Sequence, residues 1–180
     1  APLGSVVNPR APAPVVGGNL ETAQRLVDVV IGALAEVVPE RVIAASNGQM
    51  CNVTIGGIDP RSGEPYTYYE TIGGGHGARA TKDGVDGIHC NMTNTMNTPV
   101  EALEIAYPFI ITRYNLVPDT GGPGKFRGGL GIRRDYMILD EDASFGILAE
   151  RRKYPPYGLF GGCEAEPGLD EARRARVGRC

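Results

Sequence analysis

The sequence predicts an α+β fold with mixed, largely antiparallel sheets, one long amphipathic helix and one short helix. In one segment near the start of the chain, apolar residues recur at three- and four-residue steps, the period of a helix face. Five later segments are rich in β-branched and aromatic residues and are bounded by turn residues, as strands are. The 26 glycines and 14 prolines form no short repeat, which indicates a turn-rich globular domain.

The first predicted element is the long helix, which follows an extended segment at residues 1–18. Asn19 is the predicted N-cap, and Pro39 ends the helix because proline cannot continue it. We expect its apolar stripe to cover a sheet, and a partner interface is the alternative. The stripe consists of Leu20, Ala23, Val27, Val30, Ile31, Leu34 and Val38.

Strands and one short helix follow. The strands are predicted at residues 50–55, 66–72, 109–116, 131–139 and 143–149. The first two are separated by turn residues and predict a long-loop hairpin. A short helix is predicted from Pro99 to about Ala106, with Thr98 as its cap. We expect the second half of the chain to be antiparallel.

Charge and composition limit the possible partners. A net charge of −3 and a pI near 5.4 argue against nucleic acid as a partner. We interpret the local basic clusters at residues 133–134, 151–153 and 173–176 as solvated faces or anion contacts. The longest apolar run, residues 29–35, is too short to cross a bilayer, so we expect no membrane association and a cytoplasmic protein. The four cysteines lack zinc-ligand spacing. Because the chain begins at Ala1, we expect a fragment, a processed chain or an engineered product.

The most unusual chemistry lies in residues 66–101, where a strand leads into a glycine bend at residues 73–79. Gly73, Gly75 and Ala78 match the spacing of a dinucleotide fingerprint, but turn residues follow where a helix is required. No P-loop motif is present either, so ATP is not bound through a P-loop in this chain. The bend therefore either holds an anion or oxyanion or is a turn where two backbones approach closely.

His76 and His89 are the only histidines, and a neutral imidazole can act as a metal ligand or general base. Glu70, Asp83 and Asp86 lie near them in sequence, but the spacing matches no recognised metal site. Hydrogen-bonded structural histidines are the alternative to a catalytic role.

The amide-rich segment, residues 91–98, contains three asparagines and three threonines with two methionines between them. Such side chains either orient a polar substrate or satisfy backbone groups in an irregular loop. Two basic, aromatic and glycine-containing segments, residues 125–129 and 151–162, contact a phosphate or a partner subunit, or they are strand-end turns. We expect the glycine bend and the amide-rich segment to fold together and line a hollow that admits a small polar ring.

Several sequence blocks, taken in order, resemble the hydantoinase B/oxoprolinase family. They are residues 4–9 (GSVVNP), 19–25 (NLETAQR), 68–75 (YYETIGGG) with 77–79 (GAR), 83–87 (DGVDG), 92–95 (MTNT), 97–101 (NTPVE), 128–131 (GGLG) and 155–162 (PPYGLFGG). On this resemblance, residues 1–162 form a partial hydantoinase B/oxoprolinase-like domain and residues 163–180 a divergent or truncated tail.

The resemblance implies part of an ATP-dependent hydrolase that opens cyclic amides such as hydantoin or 5-oxoproline. It further implies that ATP is bound by a hydantoinase A-type partner subunit or domain, and a divalent metal by an upstream part of the family. No position of this chain matches the family's metal-binding motifs, so we expect the isolated chain to be inactive. A non-catalytic interaction fragment and a carboxylase-type subunit are the alternatives.

Seven residues are candidates to line the substrate pocket, with no catalytic role assigned to any of them. They are Glu70, His76, Arg79, His89, Asn94, Asn97 and Arg127. Polar and charged side chains of these types can position a small polar ring and polarise its carbonyl group.

Overall fold

The computed structural model of the chain describes residues 1–172, apart from the side chains of residues 16–19. Its elements, in chain order, are helix α1 (Val16–Leu34), a 3-10 turn (Pro39–Arg41), strands β1 (Asn52–Ile58) and β2 (Pro65–Thr71), helix α2 (Val100–Ala106), and strands β3 (Phe109–Leu116), β4 (Ile132–Ile138) and β5 (Ser144–Leu148). The predicted α+β class is confirmed. The predicted tail at 163–180 lies partly outside the described residues.

The described strands form two antiparallel sheets. Strands β1 and β2 pair as the predicted hairpin, with Val53 opposite Glu70. Strands β3 and β4 pair with a register shift between Ile111 and Arg113. Strand β5 pairs with β1, which the sequence did not indicate, and forms the outer edge of the sheet ordered β2-β1-β5. All five residues of β5 are exposed.

The hydrophobic core joins both sheets to helix α2. Ile55 on β1, Tyr68 on β2, Leu103 on α2 and Phe109 on β3 are each 2% exposed or less. The Tyr68 and Phe109 rings lie 5.1 Å apart between centroids, a distance typical of favourable aromatic pairs. The core therefore fixes the end of β2, and the glycine bend that follows it, against β3 and α2.

Helix α1 begins and ends earlier than predicted. It starts at Val16 with Val15 as N-cap residue, so the prediction that Asn19 caps it is wrong. Gly17 and Gly18 adopt helical geometry despite their low helix propensity, which extends the helix by almost one turn. The helix ends at Leu34, and Pro39 is instead the first residue of the 3-10 turn. Proline is tolerated there because the first N–H groups of a helix have no intrahelical acceptor.

The most buried residues of α1 are polar, and no residue of the predicted apolar stripe is fully buried. Glu21, Gln24 and Asp28, spaced along one face, are 8%, 0% and 7% exposed, whereas Val30 and Leu34 of the predicted stripe are 56% and 44% exposed. The physical reason is that α1 packs on polar loops: for example, Gln24 Nε2 donates a hydrogen bond of 2.6 Å to Thr93 Oγ1.

Asp28 makes the second polar contact of α1. Its carboxylate accepts a hydrogen bond of 2.6 Å from Arg151 Nη2, and both side chains are buried. Its backbone carbonyl accepts one of 3.0 Å from the Tyr157 hydroxyl. These bonds hold the segment that contains residues 151–157 against the helix.

Helix α2 begins one residue later than predicted. Its N-cap residue is Pro99, and no side chain caps it, so the prediction that Thr98 is the cap is wrong. The Thr98 backbone amide instead donates to Glu70 Oε1 at 2.5 Å. Neither helix in the described part of the chain has the length and apolar content needed to cross a bilayer.

Candidate functional site

The glycine bend is a place where backbones approach closely. A Cβ atom at Gly75 would lie 2.0 Å from the Gly129 carbonyl oxygen, and one at Gly73 would lie 2.8 Å from the Ile88 carbonyl carbon. Any side chain at these positions would force the backbones apart. Of the two interpretations left open by the sequence, the structure supports the close approach.

The amides of the bend are largely engaged within the protein. Gly74 donates to the Ile88 carbonyl at 2.9 Å, and His76 donates to the Val85 carbonyl at 2.9 Å. The Gly77 amide donates to Ser46 Oγ at 3.2 Å. These three amides are therefore unavailable to an anion.

The amide-rich segment lies directly against Thr71, the last residue of β2. Thr71 Oγ1 is 3.0 Å from Thr95 Oγ1, and the Thr71 carbonyl accepts a hydrogen bond of 2.8 Å from Asn97 Nδ2. Asn97 Oδ1 in turn accepts one of 2.8 Å from the Tyr114 hydroxyl. Asn97 thus joins the end of β2 to β3, while Asn94 is exposed.

Glu70 is the centre of a buried ionic cluster. Its side chain accepts hydrogen bonds from Tyr68, Arg134 and the Thr98 amide, and it is 7% exposed. The Arg134 guanidinium lies 4.8 Å from the centroid of the Tyr114 ring. The carboxylate is therefore held from three directions.

The charge state of Glu70 follows from this environment. Burial raises its pKa, but the hydrogen bonds from Thr98 and Tyr68 and the charge of Arg134 outweigh burial, so the pKa lies below its usual value. Both oxygens are occupied by donors. We conclude that Glu70 is an ionised clamp and not a general base.

His89 has a free position on its ring. Its Nε2 is 3.3 Å from Thr95 Oγ1, while Nδ1 is buried with no hydrogen-bond partner among the described residues. Burial lowers the pKa of His89, and the nearby Glu70 charge only partly opposes this. The ring is therefore neutral near pH 7.

His76 and Arg127 lie apart from this cluster and connect loops. Arg127 Nη1 pairs with Asp86 Oδ1 at 2.8 Å, and the Arg127 amide donates to Asp83 Oδ1 at 2.9 Å. His76 is bound through its backbone to Gly129, and its ring Nδ1 is 3.1 Å from the Gly77 carbonyl oxygen.

A cleft of about 460 Å³ lies beyond the far end of the glycine bend; we call it the glycine-lined cleft. It is lined by Pro39, Glu40, Val42, Ala44, Ala45, Gly77, Ala78, Arg79, Ala80, Gly122, Pro123, Gly124, Lys125, Phe126, Gly128, Pro156, Tyr157, Gly158, Leu159, Phe160, Gly161, Gly162, Cys163 and Ala165. Of the seven predicted pocket residues, Arg79 is the one among these lining residues. No residue of the amide-rich segment lines it, so the two predicted walls do not share this hollow.

Arg134 is the important residue that sequence reasoning missed. We interpreted the cluster at residues 133–134 as a solvated face or an anion contact, but the Arg134 side chain is 1% exposed. The signal was present, because Ile132, Arg134 and Tyr136 alternate along β4 and so lie on the same face of the strand.

Within residues 1–172, no three His, Cys, Asp or Glu side chains are grouped so as to hold a metal ion. The buried carboxylates of Glu70 and Asp28 are already paired with arginines, and that of Glu21 belongs to no group of three such side chains in this part of the chain. The residues present in this part of the chain therefore do not fit the metal that the family resemblance implies.

Comparison with known proteins agrees with the family resemblance that the sequence blocks indicate. The family model described as hydantoinase B/oxoprolinase matches residues 1–178. An uncharacterised protein of Methanocaldococcus jannaschii, MJ0963, is 54% identical over 90% of this chain and 28% of its own length. A 5-oxoprolinase of Dictyostelium discoideum is 41% identical over 94% of this chain and 12% of its own length.

One solved structure is also similar. The crystal structure of an ATP-dependent caprolactamase from Pseudomonas jessenii is 34% identical, with a TM-score of 0.67, over 78% of this chain and 25% of the solved chain. The present chain thus spans roughly a tenth to three-tenths of the length of the relatives it matches.

Proposed function

The chain belongs to the hydantoinase B/oxoprolinase family, and from this premise we propose that it is part of an ATP-dependent enzyme that opens cyclic amides. The observation that carries the proposal is that a protein named 5-oxoprolinase matches 94% of this chain at 41% identity. The caprolactamase structure, whose name also denotes a cyclic amide and ATP, supports it. In that assembly the chain contributes scaffold and one wall of the substrate site.

ATP dependence suits this chemistry. The carbonyl carbon of a cyclic amide is a poor electrophile because the ring nitrogen donates electron density to it. Transfer of the γ-phosphoryl group of ATP to the carbonyl oxygen makes the carbon electrophilic, so that water adds to it. The ring C–N bond then breaks with the nitrogen leaving as an amine, and a second water releases phosphate from the resulting acyl phosphate. We propose that a hydantoinase A-type partner in the cytoplasm binds the ATP, and that any metal is held outside the described residues.

The wall supplied by this chain is formed by His89 and Asn97. Asn97 is fixed by hydrogen bonds to the Thr71 carbonyl and the Tyr114 hydroxyl, so its position costs little further entropy when a ligand binds. The neutral His89 ring lies with its Nε2 beside the exposed Thr95 hydroxyl, and Nε2 is the nitrogen that we propose meets a ring carbonyl or ring N–H. Glu70, at the end of β2, accepts a hydrogen bond from the Thr98 amide and so holds the segment that contains Asn97 against β2.

The test uses the full protein together with a hydantoinase A-type subunit. Hydantoin, 5-oxoproline and caprolactam are each supplied with ATP, and ring opening and ADP release are measured together. We expect ATP-dependent opening of at least one ring, and absence of opening for all three would contradict the proposal.

Variants then test the pocket residues. Removing a hydrogen bond made in the transition state by His89→Ala should lower kcat/KM at least tenfold, about 1.4 kcal/mol. The exposed Glu36→Gln on the turn after α1 is the control and should change nothing. A change below about twofold for Asn97→Ala would remove Asn97 from the proposed wall.

The alternatives predict different readouts. A non-catalytic interaction fragment would bind the ATP-binding subunit, and every wall variant would retain the parental kcat/KM. A carboxylase-type subunit would consume ATP only when bicarbonate is present.

A further inference from the structure

The glycine-lined cleft has the dimensions of a small-molecule site. Its volume of about 460 Å³ falls within the range of roughly 300–1,000 Å³ seen for ligand pockets. Four segments that are distant in sequence converge on it, namely residues 39–45, 77–80, 122–128 and 156–165. Neither the buried Glu70 cluster nor the proposed wall at His89 and Asn97 contributes to it.

Two cations that line the cleft have no carboxylate partner among the described residues, and the Lys125 ammonium lies 5.5 Å from the centroid of the Phe126 ring. Arg79 and Lys125 are exposed and line it, and neither makes an ion pair with a described residue. Most other arginines of the described chain are paired with carboxylates: Arg25, Arg61, Arg113, Arg127, Arg133, Arg134, Arg151 and Arg152. Because Glu40 is the single acid among the lining residues, the cleft carries a net positive charge.

The backbone of the cleft adds hydrogen-bond donors. The Phe160 and Gly161 amides donate to no other described residue, whereas the neighbouring Gly162 amide donates to the Leu159 carbonyl at 2.9 Å. Phe160 and Gly161 have φ angles of 49° and 87°, and such left-handed backbone is uncommon for a bulky residue. Successive amides in a turn of this kind form a concave anion site.

An aromatic surface lies beside these donors. The Phe160 side chain is 71% exposed although it is large and apolar, and Tyr157 lines the same cleft. An exposed aromatic ring next to a cationic pocket suits a ligand that joins an anionic group to a flat organic ring.

We propose that the glycine-lined cleft binds the phosphoryl group of a phosphorylated small molecule between Arg79, Lys125 and the amides of Phe160 and Gly161. The organic part of the ligand lies against Phe160. Binding at this cleft is independent of the wall at His89 and Asn97, so the two proposals can fail separately.

The test is calorimetric titration of the full protein, without an ATP-binding subunit, with inorganic phosphate, AMP and uncharged adenosine. We expect phosphate and AMP to bind, AMP more tightly, and adenosine to bind at least tenfold more weakly than AMP. Affinity for AMP should fall as salt is added, because exposed charges are screened.

Variants locate the site. Arg79→Gln combined with Lys125→Gln should weaken AMP binding at least tenfold, whereas Arg10→Gln combined with Lys153→Gln, two exposed cations outside the cleft, should leave it unchanged. Phe160→Ala should weaken AMP and leave phosphate unaffected. Equal effects of the two double variants, or no binding of phosphate and AMP, would overturn the proposal. Unchanged thermal melting of each variant shows that the fold is intact.

Discussion

The Glu70–Arg134 pair allows a quantitative prediction about stability. The Arg134 side chain is 1% exposed and the Glu70 side chain 7%, so solvent screens their interaction very little. Replacing one partner leaves a buried charge without its counterion, which typically costs 3–5 kcal/mol. Replacing both removes the charge problem, and comparable double replacements elsewhere are often neutral.

We therefore predict that Arg134→Met and Glu70→Gln each destabilise the chain by about 3–5 kcal/mol. The double variant should be less destabilised than either single variant. For a chain of this length, each kcal/mol corresponds to roughly 2–4 °C in Tm, so each single variant should melt at least about 6 °C lower. Methionine is chosen because it keeps an apolar contact with the Tyr114 ring.

The pH dependence gives a second readout of the same pair. Because the pKa of Glu70 is lowered on folding, its contribution to stability is present above the carboxylate's ordinary pKa, near 4.5, and is lost as the pH falls through the lowered value. Glu70→Gln should therefore reduce the loss of stability below about pH 4.5.

The assay is urea denaturation followed by circular dichroism, for the parent, both single variants and the double variant, at pH 7 and pH 4. Lys153→Gln, an exposed change, is the control and should stay within about 0.5 kcal/mol of the parent. Additive effects of the two single changes in the double variant would refute the argument, since they would mean that the two charges do not stabilise each other.

Three further predictions concern packing, helix α1 and cysteine reactivity. Gly75→Ala should destabilise the chain by about 1–3 kcal/mol in chemical denaturation, because its Cβ would clash with Gly129. The control Gly146→Ala, whose Cβ would meet no atom closer than 3.9 Å, should have an effect under about 1 kcal/mol. Equal effects of the two variants would contradict the close approach of the backbones. Asp28→Ala should lower Tm by at least about 6 °C, because it leaves the buried Arg151 unpaired. Val29→Ser on the exposed side of α1 should shift Tm by less than about 2 °C. The opposite order would show that the Val29 face of α1, and not the Asp28 face, is buried. Cys163, which is exposed, should react with iodoacetamide at pH 8 at least tenfold faster than Cys51, because burial raises the pKa of the Cys51 thiol to about 11. Peptide mapping by mass spectrometry measures both rates, and equal rates would contradict this reasoning.

Local sequence patterns predicted the strands well and the packing of α1 poorly. Strand β3 was predicted at residues 109–116, the range seen in the structure, because its apolar residues are bounded by Pro108 and Pro118. The face of α1 that is buried depends on contacts with Thr93 and Arg151, which are far away in sequence. Helical periodicity contains no information about these contacts, so it indicated the apolar stripe as the buried face. The pairing of β5 with β1 is equally non-local.

The candidate site shows the same division. The glycine bend and the amide-rich segment are separated by residues 80–90, and the contact seen is between Thr71, which ends β2, and Thr95, whose Oγ1 atoms lie 3.0 Å apart. The glycine-lined cleft requires four distant segments, so no short motif indicates it. The partner of Glu70 is 64 residues away, and only the alternation along β4 hinted that Arg134 points inward.

Strand β5 has a practical consequence for handling the chain by itself. Its outer backbone groups pair with no other described strand, and Phe145, Ile147 and Leu148 are all exposed. Unprotected apolar edges recruit further copies of a chain into intermolecular sheets. Concentrated solutions of the isolated polypeptide should therefore turn cloudy over time. Phe145→Lys should delay this aggregation, because the added positive charges on neighbouring copies would repel one another.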